Sequence, residues 1–169
     1  MPEILTLYHS TDRQCLQSAQ KIGTLFGHEV LKPRQGYSGE ANLTPDKNAS
    51  LNFIRIYRGE GRWREIDGPP DLVMLTFQLP QEILKLVGKT HLFGCLEYAT
   101  TLTVDARDIP RSYFQNYHAS SPRLTVTKEE EIERQDRGKV RFYQVPMKGY
   151  LKQIETVEYS YRGVKYPKK

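Results

Sequence analysis

The chain is poor in the residues that staple or anchor small folds. Its 169 residues include only two cysteines, Cys15 and Cys95. Neither belongs to a CxxC pair, and one distant pair is not the framework of a disulfide scaffold, so both read as reduced, mostly buried thiols. The four histidines, at positions 9, 28, 91 and 118, stand singly, and with two cysteines they are too few and too scattered for a structural zinc site. No metal is expected. No segment approaches the ~20 consecutive apolar residues needed to cross a bilayer. The opening Met1-Pro2-Glu3-Ile4-Leu5 has no basic region of the kind that begins a signal peptide. These absences predict a protein without a membrane partner, cytoplasmic or delivered into a target cell by other means. A phosphate-binding loop, a dinucleotide-type glycine fingerprint, His-Glu-x-x-His and Gly-x-Ser-x-Gly are all missing as well.

What is present is globular. The chain is 38% apolar and 27% charged, and a chain of this length buries roughly two-thirds of its unfolded surface without a staple. A single catalytic domain over 1–169 is expected, with 120–169 as an appended basic, strand-rich extension, because the texture changes after Ser120-Ser121-Pro122. The net charge of +5 favours anionic partners, nucleic acid and phosphates among them. Eleven tyrosines and six phenylalanines sit largely in strand-like runs.

Ile4 to His9 reads as a first strand. Ser10, Thr11 and Asp12 then offer caps for a helix whose apolar face is Cys15, Ala19, Ile22 and Phe26, ending at Gly27. Residues 32–42 read as a loop. Thr44 and Pro45 mark a second helix start, with Thr44 as cap and Pro45 at the first helical position, and Ala49, Phe53, Ile54 and Tyr57 facing the core. Residues 58–70 read as a polar loop. Leu72 to Leu79 is a nearly continuous apolar run, which predicts a strand covered on both faces. A short helical turn over Pro80 to Leu84, a strand over Leu96 to Val104 and a turn from Ile109 follow. Late strands are expected at 124–126, 140–145 and 154–161, with a solvated charge run at 128–137 between them and a frayed tail from Tyr166.

Three of these pieces carry groups suited to a dinucleotide. A histidine beside hydroxyls, His9-Ser10-Thr11, offers hydrogen bonds to ribose, and a carboxylate such as Glu97 can stabilise positive charge developing on a ribose. The order of parts resembles the ADP-ribosyltransferase fold of the His–Tyr–Glu kind. Leu7-Tyr8-His9-Ser10-Thr11 resembles that family's first-strand histidine motif. Asn42-Leu43-Thr44-Pro45-Asp46-Lys47-Asn48-Ala49 resembles the second, and Glu97-Tyr98-Ala99-Thr100 leading to Ile109-Pro110 resembles the glutamate strand and its return. The likeness covers roughly residues 5–115. It implies an α+β fold, a mixed or antiparallel split β-sandwich with flanking helices, and transfer of ADP-ribose from NAD to a protein or nucleic acid. It implies Glu97 as the catalytic carboxylate and His9 as a ribose ligand. Ser10, Thr11 and Thr44 would line the NAD site. The family's stacking tyrosine falls at Asn42, an amide that cannot stack on nicotinamide, so Tyr37 and Tyr57 are the candidates for that role.

A second cluster is basic and aromatic. Arg55, Arg58, Arg62, Trp63 and Arg64 lie within ten residues, and guanidinium groups pair with phosphate while an indole stacks on a base. This cluster is expected to meet a pyrophosphate or a macromolecular target. Lys139, Arg141, Tyr143, Lys148, Lys152, Arg162 and Lys165 form a later basic, tyrosine-rich group. Two other functions fit the same composition: a metal-independent ribonuclease toxin using His9 or His118 with Glu97, and a non-catalytic nucleic-acid-binding module.

Overall fold

A computed structural model describes residues 3–26, 41, 43–55, 69, 71–89, 94–105, 108–110 and 141–168. Within them lie ten strands and two α-helices, an α+β arrangement in which every strand pairing is antiparallel. The central strand is β3 (Leu72–Pro80), flanked by β1 (Ile4–Asp12) and β8 (Leu151–Thr156). Its apolar run is explained by its place. Alternate residues of a strand face opposite sides, and β3 is covered on both.

On one side, Val73, Leu75, Phe77 and Leu79 of β3 join Leu7 of β1 in the larger core cluster. Helix α1 (Arg13–Ile22) covers this side with Leu16 and Ala19. So does a second sheet, in which β7 (Arg141–Pro146) pairs with β2 (Thr24–Phe26) and β6 (Thr103–Asp105), contributing Leu25 and Val145. On the other side, Leu72 and Met74 meet α2 (Lys47–Ile54) and the hairpin of β9 (Tyr159–Tyr161) and β10 (Val164–Tyr166). Each fully buried leucine or phenylalanine here contributes roughly 1.5–3 kcal/mol relative to exposure. The remaining pair, β4 (Leu84–Lys89) and β5 (Leu96–Thr100), follows the 3-10 turn Gln81–Ile83.

Both helix starts are set by aspartates. Asp12 accepts a hydrogen bond from Cys15 N–H at 2.7 Å and Asp46 accepts one from Ala49 N–H at 3.0 Å, each satisfying a first-turn donor. The cap expected at Thr44 therefore moves two residues on. The Thr44 hydroxyl instead accepts from Asp46 N–H at 3.2 Å, and this turn seats the cap. Helix α1 also stops earlier than its apolar spacing predicts. Gly23 adopts φ 87 and its N–H donates to Ala19 C=O, an αL cap that favours glycine, so the following Thr24–Phe26 is free to pair with β7.

The strand expected over Leu96 to Val104 is two strands. Thr101 N–H donates to Ile83 C=O and Gln144 N–H to Leu102 C=O, so the chain changes partners at that point and crosses from one sheet to the other. The expected strand over 154–161 likewise divides into β8 and β9, and β10 extends through Tyr166, whose ring stacks on Tyr159 at 5.5 Å. Phe53 is 38% exposed rather than buried, while Ala49 and Ile54 face the core as expected. The strand and charge run expected over 124–137 lie outside the described residues, as do most of the two loops expected at 32–42 and 58–70. Among the described residues no helix is long and apolar enough to cross a membrane.

Candidate functional site

The segments carrying His9, Thr44 and Glu97 are joined by main-chain hydrogen bonds. Leu43 and Thr44 form a two-residue bridge between β1 and β5. Tyr8 N–H donates to Thr44 C=O at 2.8 Å and Thr44 N–H to Tyr8 C=O at 3.1 Å. On the other flank, Leu43 N–H donates to Tyr98 C=O at 3.0 Å and Tyr98 N–H to Leu43 C=O at 2.7 Å. Reading across this joint, the strands run β4, β5, the bridge, β1, β3, β8. The joint forms because its side chains suit it. Leu43 is fully buried in the larger core cluster, where Tyr98 and Leu7 also pack, so pairing the backbone buries the side chains at the same time.

Strand alternation then sorts the candidate side chains. Leu7, Leu43 and Tyr98 belong to the larger core cluster, whereas Tyr8 packs against the smaller one. Counting along each strand, His9 and Thr11 share the face of Leu7, while Glu97 and Thr44 share the face of Tyr8. Tyr8, Thr44 and Glu97 thus form one cross-strand row. His9 stands in the neighbouring position on the opposite face, paired in register with Leu75. The histidine and the carboxylate are brought to the same joint but not to the same face.

Ser10 and Thr11 are buried. The Ser10 hydroxyl lies 2.6 Å from that of Ser50 on α2, a contact that binds the helix to the sheet. Its main chain is placed differently. Tyr8 uses its N–H and C=O on the bridge, so the residue two positions on, Ser10, turns its own N–H and C=O toward that same edge, away from β3. An adjacent donor and acceptor on one edge match the two halves of a primary carboxamide.

The basic cluster is described only at its start. Arg55 caps the C-terminal end of α2 and its Nε donates to Glu158 C=O at 2.9 Å, tying the helix end to the strand that follows. Arg58, Arg62, Trp63 and Arg64 lie outside the described residues, as do both stacking candidates, Tyr37 and Tyr57. Arg13 is engaged in the fold. Its Nε donates to the Asp71 carboxylate at 2.7 Å and its Nη2 to the Thr156 hydroxyl at 3.2 Å, which clips the start of α1 to the ends of β3 and β8. Glu97 sits opposite Gly88, next to a register shift in β4 between Leu86 and Gly88. Such bulges re-aim the residues beside them.

Sequence reasoning missed Tyr8, Leu43 and Tyr98 as the residues that hold the candidate pieces together, and Ser50 as the partner of Ser10. A two-residue bridge is too short to show a period of two. The only signal was the alternation of Ala41, Leu43 and the polar positions between and after them. Among the described residues no group of three or more histidine, cysteine, aspartate or glutamate side chains could hold a metal ion. Compared with known proteins, the chain matches no family model, no curated protein and no solved structure.

Proposed function

We propose that this chain is an NAD-dependent mono-ADP-ribosyltransferase built on a split β-sandwich, modifying a macromolecule. The observation that supports the reading is the joint. Three segments far apart in sequence, bearing a histidine, a hydroxyl and a carboxylate, lie side by side through the Tyr8–Thr44 and Leu43–Tyr98 pairings. In this reading the main-chain N–H and C=O of Ser10, which face away from β3, receive the carboxamide of the nicotinamide. Glu97, in the row with Thr44 and Tyr8, faces the adjoining ribose. His9, on the face opposite Glu97, is left for the second ribose of an extended dinucleotide.

The reaction breaks the bond between the ribose carbon and the nicotinamide nitrogen. Nicotinamide leaves with the bonding electron pair, and an acceptor oxygen or nitrogen bonds to the same carbon. The acceptor proton passes to a base, the role given to the Glu97 carboxylate, whose charge also stabilises the electron-poor ribose.

Incubation with labelled NAD and a cell lysate tests this. Transfer of label to protein or nucleic acid is expected, falling by about 100-fold or more in Glu97→Gln. The variant's unfolding midpoint should stay close to that of the parent. Undiminished labelling by Glu97→Gln sinks the catalytic assignment. Absence of nicotinamide release by the parent chain sinks the reading altogether, and RNA cleavage without NAD would replace it with a nuclease.

A further inference from the structure

The hairpin of β9 and β10 has features that the transferase reading does not use. Its inner face is aromatic: Tyr159, Tyr161 and Tyr166 pack with Leu51, Ile54, Leu72 and Met74 in the smaller core cluster. Its rim is cationic. Arg162, Lys165 and Lys168 are all exposed, and only Glu158 opposes them on the same stretch. The Arg162 guanidinium lies over the Tyr161 ring at 5.1 Å from its centre, and the Lys168 ammonium over the Tyr166 ring at 5.9 Å. Arg55, where the arginine-rich stretch of the sequence begins, is tied to the base of the same hairpin through Glu158 C=O.

The turn is built against local preference. Arg162 has φ 51 and Gly163 has φ 78, the two positive values of a two-residue hairpin turn of the primed type. Asparagine or glycine fits the first of these positions best, and arginine has no conformational reason to be there. What arginine supplies is a long cation at the tip, held over a ring.

We infer that this hairpin is a docking surface for a single-stranded nucleic acid, whose phosphates meet Arg162, Lys165 and Lys168 and whose bases meet the margins of Tyr161 and Tyr166, which are only partly buried against the smaller core cluster. Charge complementarity selects the partner, since the rim carries three cations against one carboxylate on a chain of net charge +5. Arg162 and Lys168 lie beside the rings while Lys165, paired with Ser160, stands on the outer face, and a flexible single strand can bend to meet both. A duplex hides its base faces and gives the rings nothing to meet. The surface stands independently of the transferase reading, because binding requires no NAD.

The test is fluorescence anisotropy with a labelled 20-residue oligouridine strand, without NAD, across a series of salt concentrations. The parent chain is expected to bind with a log–log salt slope of about −2, since each phosphate contact on a single strand contributes about −0.7. Arg162→Asn keeps the turn conformation and removes the tip cation. Combined with Lys165→Gln and Lys168→Gln it should weaken binding about 10-fold or more and flatten the slope, with the thermal midpoint unchanged or raised. Unlabelled duplex of the same length and polyglutamate of matched charge are expected to compete poorly. The inference is overturned if the triple variant binds like the parent, if the parent shows no salt-dependent binding, or if polyglutamate competes as well as the single strand, which would mark a surface for acidic protein.

Discussion

At the scale of single residues, buried polar groups in this protein divide into those with partners and those without. Asp12, Ser10 and Thr44 are buried and each has a hydrogen bond that explains its presence. Ser18, in the middle of α1, is 1% exposed and its hydroxyl has no hydrogen-bond partner among the described residues. An unsatisfied buried hydroxyl costs about 1–3 kcal/mol, and serine is a weaker helix former than alanine. Ser18→Ala is therefore expected to stabilise the protein by about 1 kcal/mol, read as a rise in the urea midpoint with an unchanged slope. Destabilisation by that substitution would mean the hydroxyl has a partner that matters. Arg162 is also costly, because a left-handed conformation in a residue with a Cβ costs about 1–2 kcal/mol.

At the scale of elements, β3 was legible in the sequence because its run of apolar residues is long and has no polar face. The start of β1, the helix after it and the 3-10 turn after β3 were legible for similar local reasons. Four features were not. Gly23 ended α1 before the apolar spacing did. Thr44-Pro45 looked like a helix start, because Thr is a common cap and Pro suits a first turn, yet Asp46 competes better for Ala49 N–H. In β4 and β10, lysines and a glycine hide the strand pattern. The bridge at 43–44 depends on long-range pairing that no local period encodes. For the candidate site, the strands bearing His9 and Glu97 could be read, but their adjacency and opposite facing could not. Hydrogen exchange checks the joint. The amides of Tyr8, Leu43, Thr44 and Tyr98 are expected to exchange together, at rates between those of β3 and those of the β9–β10 hairpin, because breaking either rung loosens both strands. Exchange of Leu43 and Tyr98 at the rate of exposed turn residues would argue that β5 is not held to β1.

At the scale of the whole molecule, late sequence completes early structure. β8 forms the third strand of the central sheet and β7 lies between β2 and β6. A chain cut after Pro146 keeps β7 but strips the partner from one edge of β3, along with Val157 and Tyr159 from the smaller core cluster. Loss of cooperative urea unfolding is the expected result. A sharp transition in that fragment would show that the first part of the chain folds alone. The clip from Arg13 to Asp71 and Thr156 tells the same story, since one guanidinium gathers the beginning, middle and end of the chain. The same arrangement constrains how the protein is made. As it leaves the ribosome, the apolar central strand emerges well before the segment that will cover its second edge, and pairings between distant parts of a chain form slowly. The nascent protein must therefore keep a sticky strand edge from neighbouring polypeptides until β8 is free to pair. Its yield in cells should depend on chaperone supply more than on the strength of the finished fold.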